Sequence, residues 1–236
     1  MYIFLNFRRP AIKKVFSFLF LVPVISIAQN YEEIIPLWGN GAPDFEELRQ
    51  EEEEVEDHWV KNIHNSTLTA YFSASGKSYG TAVLIFSGGG HRLLVIDAEG
   101  TYAQEHLNKF GITAFVRKYR LAREPDSLYE VGVHAKEDAQ RSTRLIRKNA
   151  GKWGLDKEKI GIMGFSARGE VANWRAYDDG TEVMNAALSP FNVLKAYCDA
   201  NTPIEAHFYS KGGYGFNMGY RSDLKTIRHG PARLED

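Results

Sequence analysis

The chain of 236 residues contains a single cysteine, Cys198. One thiol cannot form a disulfide within the chain, so the fold must be stabilised by packing even in an oxidising compartment. The seven histidines are scattered, and no His-x-x-x-His pair or cysteine and histidine cluster has the spacing of a metal site. The sequence also has no internal repeat. These absences exclude a disulfide framework and give no support to a metalloprotein.

Long hydrophobic runs are scarce, and the clearest one, Val15 to Ile27, lies near the N-terminus. Four basic residues precede this run, and small residues end it at Ala28. This order is typical of a secretory signal peptide, whereas a membrane anchor would need a longer run without Pro23. We therefore predict a signal peptide over residues 1–28, a single domain over residues 29–236, and a secreted or periplasmic protein with no membrane anchor after cleavage.

The chain also has little net charge, with a formal value of −1. Removing the four basic residues of the predicted signal peptide, which has no acidic residue, takes this charge to −5. A mildly acidic domain is a poor partner for nucleic acid. The composition, 44% hydrophobic and 25% charged, is that of one globular α/β domain.

Apolar runs and helical periodicity alternate through the middle of the chain. An unbroken apolar run from Thr81 to Phe86 predicts a strand that is buried on both faces, and Ile112 to Val116 predicts the next one. Helical spacing follows each strand, over Glu99 to Phe110 and over Ala135 to Ala150. The order predicts right-handed crossovers in a mostly parallel sheet.

Two shorter β-prone segments precede that alternation. Trp59 to Ile63 and Leu68 to Phe72 are separated by Asn65 and Ser66. This arrangement predicts an antiparallel hairpin at the edge of the sheet.

A third apolar strand, ending near Gly164, leads into a turn that carries Ser166 and then into a helical pattern. A serine hydroxyl becomes a useful nucleophile on a sharp strand-to-helix turn of the form Gly-x-Ser-x-Gly. The second glycine is replaced by Arg168, and Gly169 comes one position late. The motif therefore indicates either a nucleophilic serine or an ordinary junction between strand and helix.

Three consecutive glycines, Gly88 to Gly90, directly follow the first buried strand and Ser87. Their backbone N–H groups can approach a ligand closely, as an oxyanion hole requires, although a glycine turn without a ligand has the same sequence. A phosphate loop is disfavoured because no Gly-Lys-Ser/Thr follows. His91 ends the loop and either lines the pocket or is exposed. The glycine loop and Ser166 both follow carboxyl ends of strands, where α/β sheets bind ligands.

Seven segments stand out: Ile35-Pro36-Leu37-Trp38, Ser87 to His91, Ala98-Glu99-Gly100, Lys118 to Ala122, Asp138 to Arg141, Gly161 to Ala167, and Lys211 to Gly219. In this order they resemble segments of secreted α/β-hydrolases that include acetyl xylan esterases and the dienelactone hydrolase group. The resemblance covers most of residues 35–222. It implies an α/β-hydrolase fold with helices on both faces of the sheet, and a serine carboxylic-ester hydrolase without a cofactor. Its substrate would be a small acyl ester or an acetylated oligosaccharide.

The resemblance also implies site residues. Ser166 matches the nucleophile, and the backbone N–H groups of Gly89, Gly90 and Ala167 match the oxyanion hole. The mechanism would be attack by Ser166 on the ester and formation of an acyl-enzyme.

Two positions depart from the pattern of these hydrolases. Tyr214 occupies the position of the catalytic histidine, and a phenol with a pKa of about 10 is a poor general base. Only 48 residues separate Ser166 from Tyr214, too few for the two further parallel strands that carry the aspartate. Asp178 and Asp179 are the nearest upstream acids, although they end a helix. We therefore predict a fold that lacks two late strands, and either a serine esterase or a catalytically inactive relative that acts as a binding protein or is a non-functional fragment.

Overall fold

The computed structural model describes residues 32–73 and 78–165, together with Met218 and Arg228. Within these ranges the chain forms eight β-strands and two α-helices. The strands are β1 (Glu32–Pro36), β2 (Glu54–Val55), β3 (Trp59–Lys61), β4 (Thr67–Tyr71), β5 (Ala82–Phe86), β6 (Leu94–Val95), β7 (Thr113–Lys118) and β8 (Ile160–Gly164), and the helices are α1 (Tyr102–Lys109) and α2 (Lys136–Asn149). No helix in the described ranges is long and apolar enough to cross a membrane.

The large sheet has five described strands in the order β1-β4-β7-β5-β8. Strands β7, β5 and β8 are parallel, and Leu84 at the centre of β5 lies opposite Phe115 of β7 and Ile162 of β8. The strand predictions over 81–86 and 112–116, and the one that ends near Gly164, are therefore confirmed. β1 and β4 extend the sheet with antiparallel pairing.

The two helices pack on opposite faces of this sheet because side chains alternate along the strands. Leu84 and Phe115 belong to the apolar cluster that contains Ala139 and Ile146 of α2. The neighbouring Ile85 belongs to the cluster that contains Ala103 and Leu107 of α1. The predicted arrangement with helices on both faces is thus confirmed in the described part of the chain.

The predicted hairpin of residues 59–63 with 68–72 is wrong. β4 pairs with β1, whereas β3 pairs with β2 and β6 in a separate sheet of three strands. The connection cannot be a surface turn, because His64 and Ser66 are buried in it. The Ser66 hydroxyl donates to a carboxylate of Asp138 at 2.6 Å, which ties this connection to α2. Since β6 comes shortly after the glycines, the small sheet lies beside the glycine loop.

Candidate active site

Three parallel strands end at the same edge of the large sheet. β5 ends at Phe86, β7 at Lys118 and β8 at Gly164. The N–H of Phe165 donates to the C=O of Phe86 at 3.1 Å, so the segment after β8 starts directly beside the loop after β5. Ser166 is the next residue in the chain. The start of the serine motif and the glycine loop therefore share one edge.

The glycine loop is fixed by hydrogen bonds of its own backbone. The C=O of Gly88 accepts the N–H of Val95 at 3.1 Å, and the C=O of Gly89 accepts the N–H of Leu93 at 3.3 Å. Gly89 has a φ of +122°, and a Cβ at this position would overlap the carbonyl oxygen of Leu93. Only glycine fits there without a movement of the backbone.

Two N–H groups of this loop are available to a ligand. Among the described residues, the N–H groups of Gly89 and Gly90 donate to no acceptor, and both residues are only half-buried. Backbone donors in folded proteins are nearly always paired with protein or water, so two neighbouring free donors at a sheet edge form a ready site for an anion. These are the two glycines predicted for the oxyanion hole.

Glu99, which was not predicted as a site residue, holds the first residue of the glycine loop. Its carboxylate accepts the N–H of Gly88 at 2.5 Å, and Glu99 is buried in a π-helical turn, Asp97–Thr101, that precedes α1. The bond occupies the Gly88 donor, whereas the N–H groups of Gly89 and Gly90 have no acceptor among the described residues. The only sequence signal for Glu99 was its place in a segment shared with known hydrolases.

His91 is fully buried, so the alternative of an exposed histidine is wrong. Its ring lies edge-on against the ring of Tyr119, with centroids 6.5 Å apart. Its C=O accepts the N–H of Arg123 at 2.8 Å, and its φ is +63°. His91 therefore joins the glycine loop to the segment that follows β7.

A buried ion pair lies behind this edge of the sheet. The guanidinium of Arg120 donates to both carboxylate oxygens of Asp138, at 2.8 and 3.1 Å, and neither side chain is exposed. Asp138 also accepts the indole N–H of Trp38 at 2.8 Å and the hydroxyl of Ser66. This cluster joins the N-terminal segment, the start of β4, the end of β7 and the start of α2.

Arg117 is a second fully buried cation near the same edge. Its guanidinium carbon lies 4.4 Å from the centre of the Phe86 ring and 4.0 Å from that of Tyr119. None of its three guanidinium nitrogens has a hydrogen-bond partner within the described residues. Burial lowers the pKa of Arg117 to about 9, the charge of Asp138 opposes this change, and the charge of Arg120 adds to it.

We expect Arg117→Met to raise the free energy of unfolding by about 1–4 kcal/mol, because an apolar side chain avoids the cost of burying a charge. The contacts with the two aromatic rings, each worth about 2 kcal/mol for a desolvated cation, offset part of this cost. The cost of burying the charge of Arg117 is fully present below about pH 9, where the guanidinium is protonated in the folded state. The stability gain is therefore constant near neutral pH and shrinks as the pH rises through that value.

Urea unfolding at pH 7 and at pH 10 tests this prediction. Arg144→Met on the exposed side of α2 is the matched control, for which we expect a change within about 0.5 kcal/mol. A loss of stability in Arg117→Met, together with a neutral control, would show that the aromatic contacts outweigh the desolvation of the charge.

The remaining predicted site residues, Ser166, Ala167, Tyr214, Asp178 and Asp179, lie outside the described residues. Ser166 and Ala167 follow the described end of β8 in the chain, whereas the two acids and Tyr214 stay predictions from the sequence. In the described ranges, no group of three or more metal-binding side chains comes together.

A model of the BD-FAE family matches residues 68–212, more than half of the chain. The acetylxylan esterase of Xylanibacter ruminicola is 37% identical over 94 residues, which make up 40% of this chain and 18% of that protein. The chain thus spans less than a fifth of that relative's length.

Solved structures show the same fold. The chain resembles an acetyl ester-xyloside bifunctional hydrolase from Caldicellulosiruptor lactoaceticus with a TM-score of 0.65 at 19% identity, over 86% of this chain and 94% of that one. It resembles MGS-M1, an α/β hydrolase from a Medee basin deep-sea metagenome library, with a TM-score of 0.55 at 22% identity, over 70% and 83% of the two chains. The chain therefore has the α/β-hydrolase fold and belongs to the BD-FAE family.

Proposed function

We propose that this protein is a serine carboxylic-ester hydrolase that removes short acyl groups, above all acetyl groups, from carbohydrate through an acyl-enzyme on Ser166. The observation that carries the proposal is the pair of free N–H donors on Gly89 and Gly90, at the edge where the serine motif begins. Membership of the BD-FAE family and the similarity to an acetylxylan esterase support the choice of ester and sugar.

In the proposed reaction, the Ser166 oxygen attacks the carbonyl carbon of the ester and gives up its proton to solvent water, which later returns a proton to the leaving sugar oxygen. The carbonyl oxygen becomes an oxyanion, which the N–H groups of Gly89 and Gly90, together with that of Ala167, stabilise. Collapse of this intermediate releases the sugar hydroxyl, which takes up a proton, and leaves the acyl group on Ser166. Water then attacks the acyl-enzyme, releases the carboxylic acid and regenerates the serine.

Hydrogen bonds hold the glycine loop in place, so the proposed chemistry requires no movement of this loop. Donors that are already oriented need no reorganisation as the negative charge develops. The hydrogen bond from Gly88 to Glu99 and the backbone bonds of Gly89 provide that orientation before the substrate arrives.

A second candidate function is binding of the acylated carbohydrate without turnover. The observation in its favour is Tyr214, which stands at the position of the general base. A base activates the serine and an acid orients the base, so loss of both leaves oxyanion stabilisation and binding, a residual acceleration of about 10³–10⁴ over water. We therefore expect an esterase of low turnover.

Hydrolysis of acetyl esters by the wild type, Ser166→Ala and Tyr214→His tests both candidates. We expect wild-type turnover below the ordinary range of about 1–10³ s⁻¹. We expect Ser166→Ala to abolish it, and Tyr214→His to raise it little because the new imidazole has no orienting acid. Equal rates for the wild type and Ser166→Ala would favour the binding protein. A large gain from Tyr214→His would show that an acid such as Asp178 or Asp179 reaches the site.

A further inference from the structure

A cavity of about 400 Å³ lies between the small sheet and the segment that follows β7. One wall comes from β3 and the connection after it, with Lys61, Asn62 and His64, and the opposite wall contains Glu124 and Tyr129. Its volume lies within the range of about 300–1,000 Å³ that small-molecule sites occupy. None of these residues takes part in the proposed chemistry on Ser166.

The cavity adjoins the glycine loop. The N–H of Arg123 donates to the C=O of His91 at 2.8 Å, and Glu124 is the next residue in the chain. On the other wall, β3 pairs with β6, which follows the glycine loop. Both walls of the cavity are therefore connected to the glycine loop through the backbone.

The walls are held in place by hydrogen bonds. The buried His64 lies between the hydroxyl of Tyr129, at 3.0 Å, and a carboxylate oxygen of Glu51, at 3.2 Å. The N–H of Asn62, whose φ is +54°, donates to one carboxylate oxygen of Glu124 at 2.8 Å. These contacts are made within the protein itself, so they hold in place the side chains that face the cavity.

The polar lining contains both hydrogen-bond donors and acceptors. The ammonium of Lys61 lies 3.8 Å from a carboxylate oxygen of the exposed Glu54, which places a donor beside an acceptor, and the half-buried Glu124 adds a second acceptor. Burial raises the pKa of Glu124, while the N–H of Asn62 opposes that effect. Charged donors and acceptors form the strongest hydrogen bonds to hydroxyl groups.

We propose that this cavity is a saccharide subsite, which holds one or two sugar units of the carbohydrate chain whose acyl group is presented to the glycine loop. The substrate class rests on the proposed function, whereas binding in the cavity does not require turnover. A cationic ligand fits less well, because the ammonium of Lys61 already lies in the lining beside Glu54. An anionic ligand is excluded by the excess of carboxylates in the lining.

The test is binding of neutral xylo-oligosaccharides to the purified protein, measured by calorimetry at pH 7. We expect saturable binding by the wild type and a dissociation constant at least about 10-fold higher in Lys61→Met and in Glu124→Gln, since each variant removes a charged hydrogen bond to a hydroxyl group. Lys152→Met is the matched control, because Lys152 forms a similar exposed pair with Glu33 away from the cavity, at 3.0 Å. The control should bind as the wild type does.

Absence of saturable binding by the wild type would overturn the subsite, as would equal affinities in the wild type and both cavity variants. Tighter binding of a polyamine such as spermidine than of the oligosaccharide would also overturn it, in favour of a cation site. The proposed esterase function is tested independently of the subsite, and it is rejected if Ser166 takes up no acyl group. Saccharide binding by a protein that is not acylated would keep the subsite and reject the esterase.

Discussion

Replacing Asp138 with asparagine is expected to lower the free energy of unfolding by about 3–5 kcal/mol, because it removes the buried counter-charge of the Arg120 guanidinium. The shape of the side chain is almost unchanged, so the loss reports the charge and the hydrogen bonds rather than packing. Asp138 accepts bonds from Trp38, Ser66 and Arg120, and an amide NH₂ cannot accept at one of its two positions. The neighbouring charge of Arg117 adds to the penalty.

Urea unfolding followed by circular dichroism measures this change. Glu137→Gln is the matched control, since Glu137 contacts the same guanidinium at 3.3 Å but is 43% exposed. A partly exposed pair of this kind contributes less than about 1 kcal/mol. Equal losses in the two variants would show that burial of Asp138 is not what gives the pair its effect.

Replacing Gly89 with alanine is expected to slow acyl transfer to Ser166 by about 10²–10³-fold, the loss seen when one oxyanion donor is removed. The added Cβ would overlap the carbonyl oxygen of Leu93, which belongs to the backbone and cannot rotate away. The loop must therefore shift and carry its two N–H donors with it. A displacement of about 1 Å is enough to cost about 10²-fold in rate.

Gly90→Ala is the control for this prediction, because Gly90 also has a positive φ, +64°, but a Cβ there meets open space. Alanine keeps the N–H donor and costs about 1–2 kcal/mol of backbone strain. Single-turnover kinetics with an activated acetyl ester compares the two variants. If both lose the same rate, strain rather than displacement of the donors explains the effect.

The strands that carry the site could be predicted because each contains a short run of apolar residues. Residues of β5 are buried on both faces, so the run from 82 to 86 has no polar interruption that could be mistaken for a surface strand. The end of β7 was harder to predict. The apolar pattern stops at Val116, whereas the strand continues through Arg117 to Lys118. A guanidinium between two aromatic rings has no signature in a pattern of apolar and polar residues.

Strand pairing could not be predicted in the same way. β-propensity identified residues 59–63 and 68–72, but their partners depend on contacts made far along the chain. Ser66 reaches Asp138, and His64 reaches Tyr129, at sequence separations that no local pattern shows. These two contacts hold the connection between β3 and β4 in the interior, so the two strands belong to different sheets.

The glycine loop of the candidate site could be predicted from the sequence for a physical reason. Three glycines after a buried strand indicate close backbone approach, and Gly89 indeed requires glycine. Glu99 was not assigned a role, because an isolated acid in a helix start usually stabilises the helix. Its function depends on a π-helical turn that aims the carboxylate at Gly88, and this geometry exists only after the loop has folded.

The most direct test of the proposed chemistry is mass spectrometry of the intact protein after brief incubation with p-nitrophenyl acetate. We expect one acetyl group per chain, located on Ser166 by peptide mapping and absent in Ser166→Ala. A weak base slows deacylation, so the acyl-enzyme should persist long enough to be isolated. No Ser166-dependent acetylation, or equal labelling of the wild type and Ser166→Ala, would contradict a serine esterase mechanism for this chain.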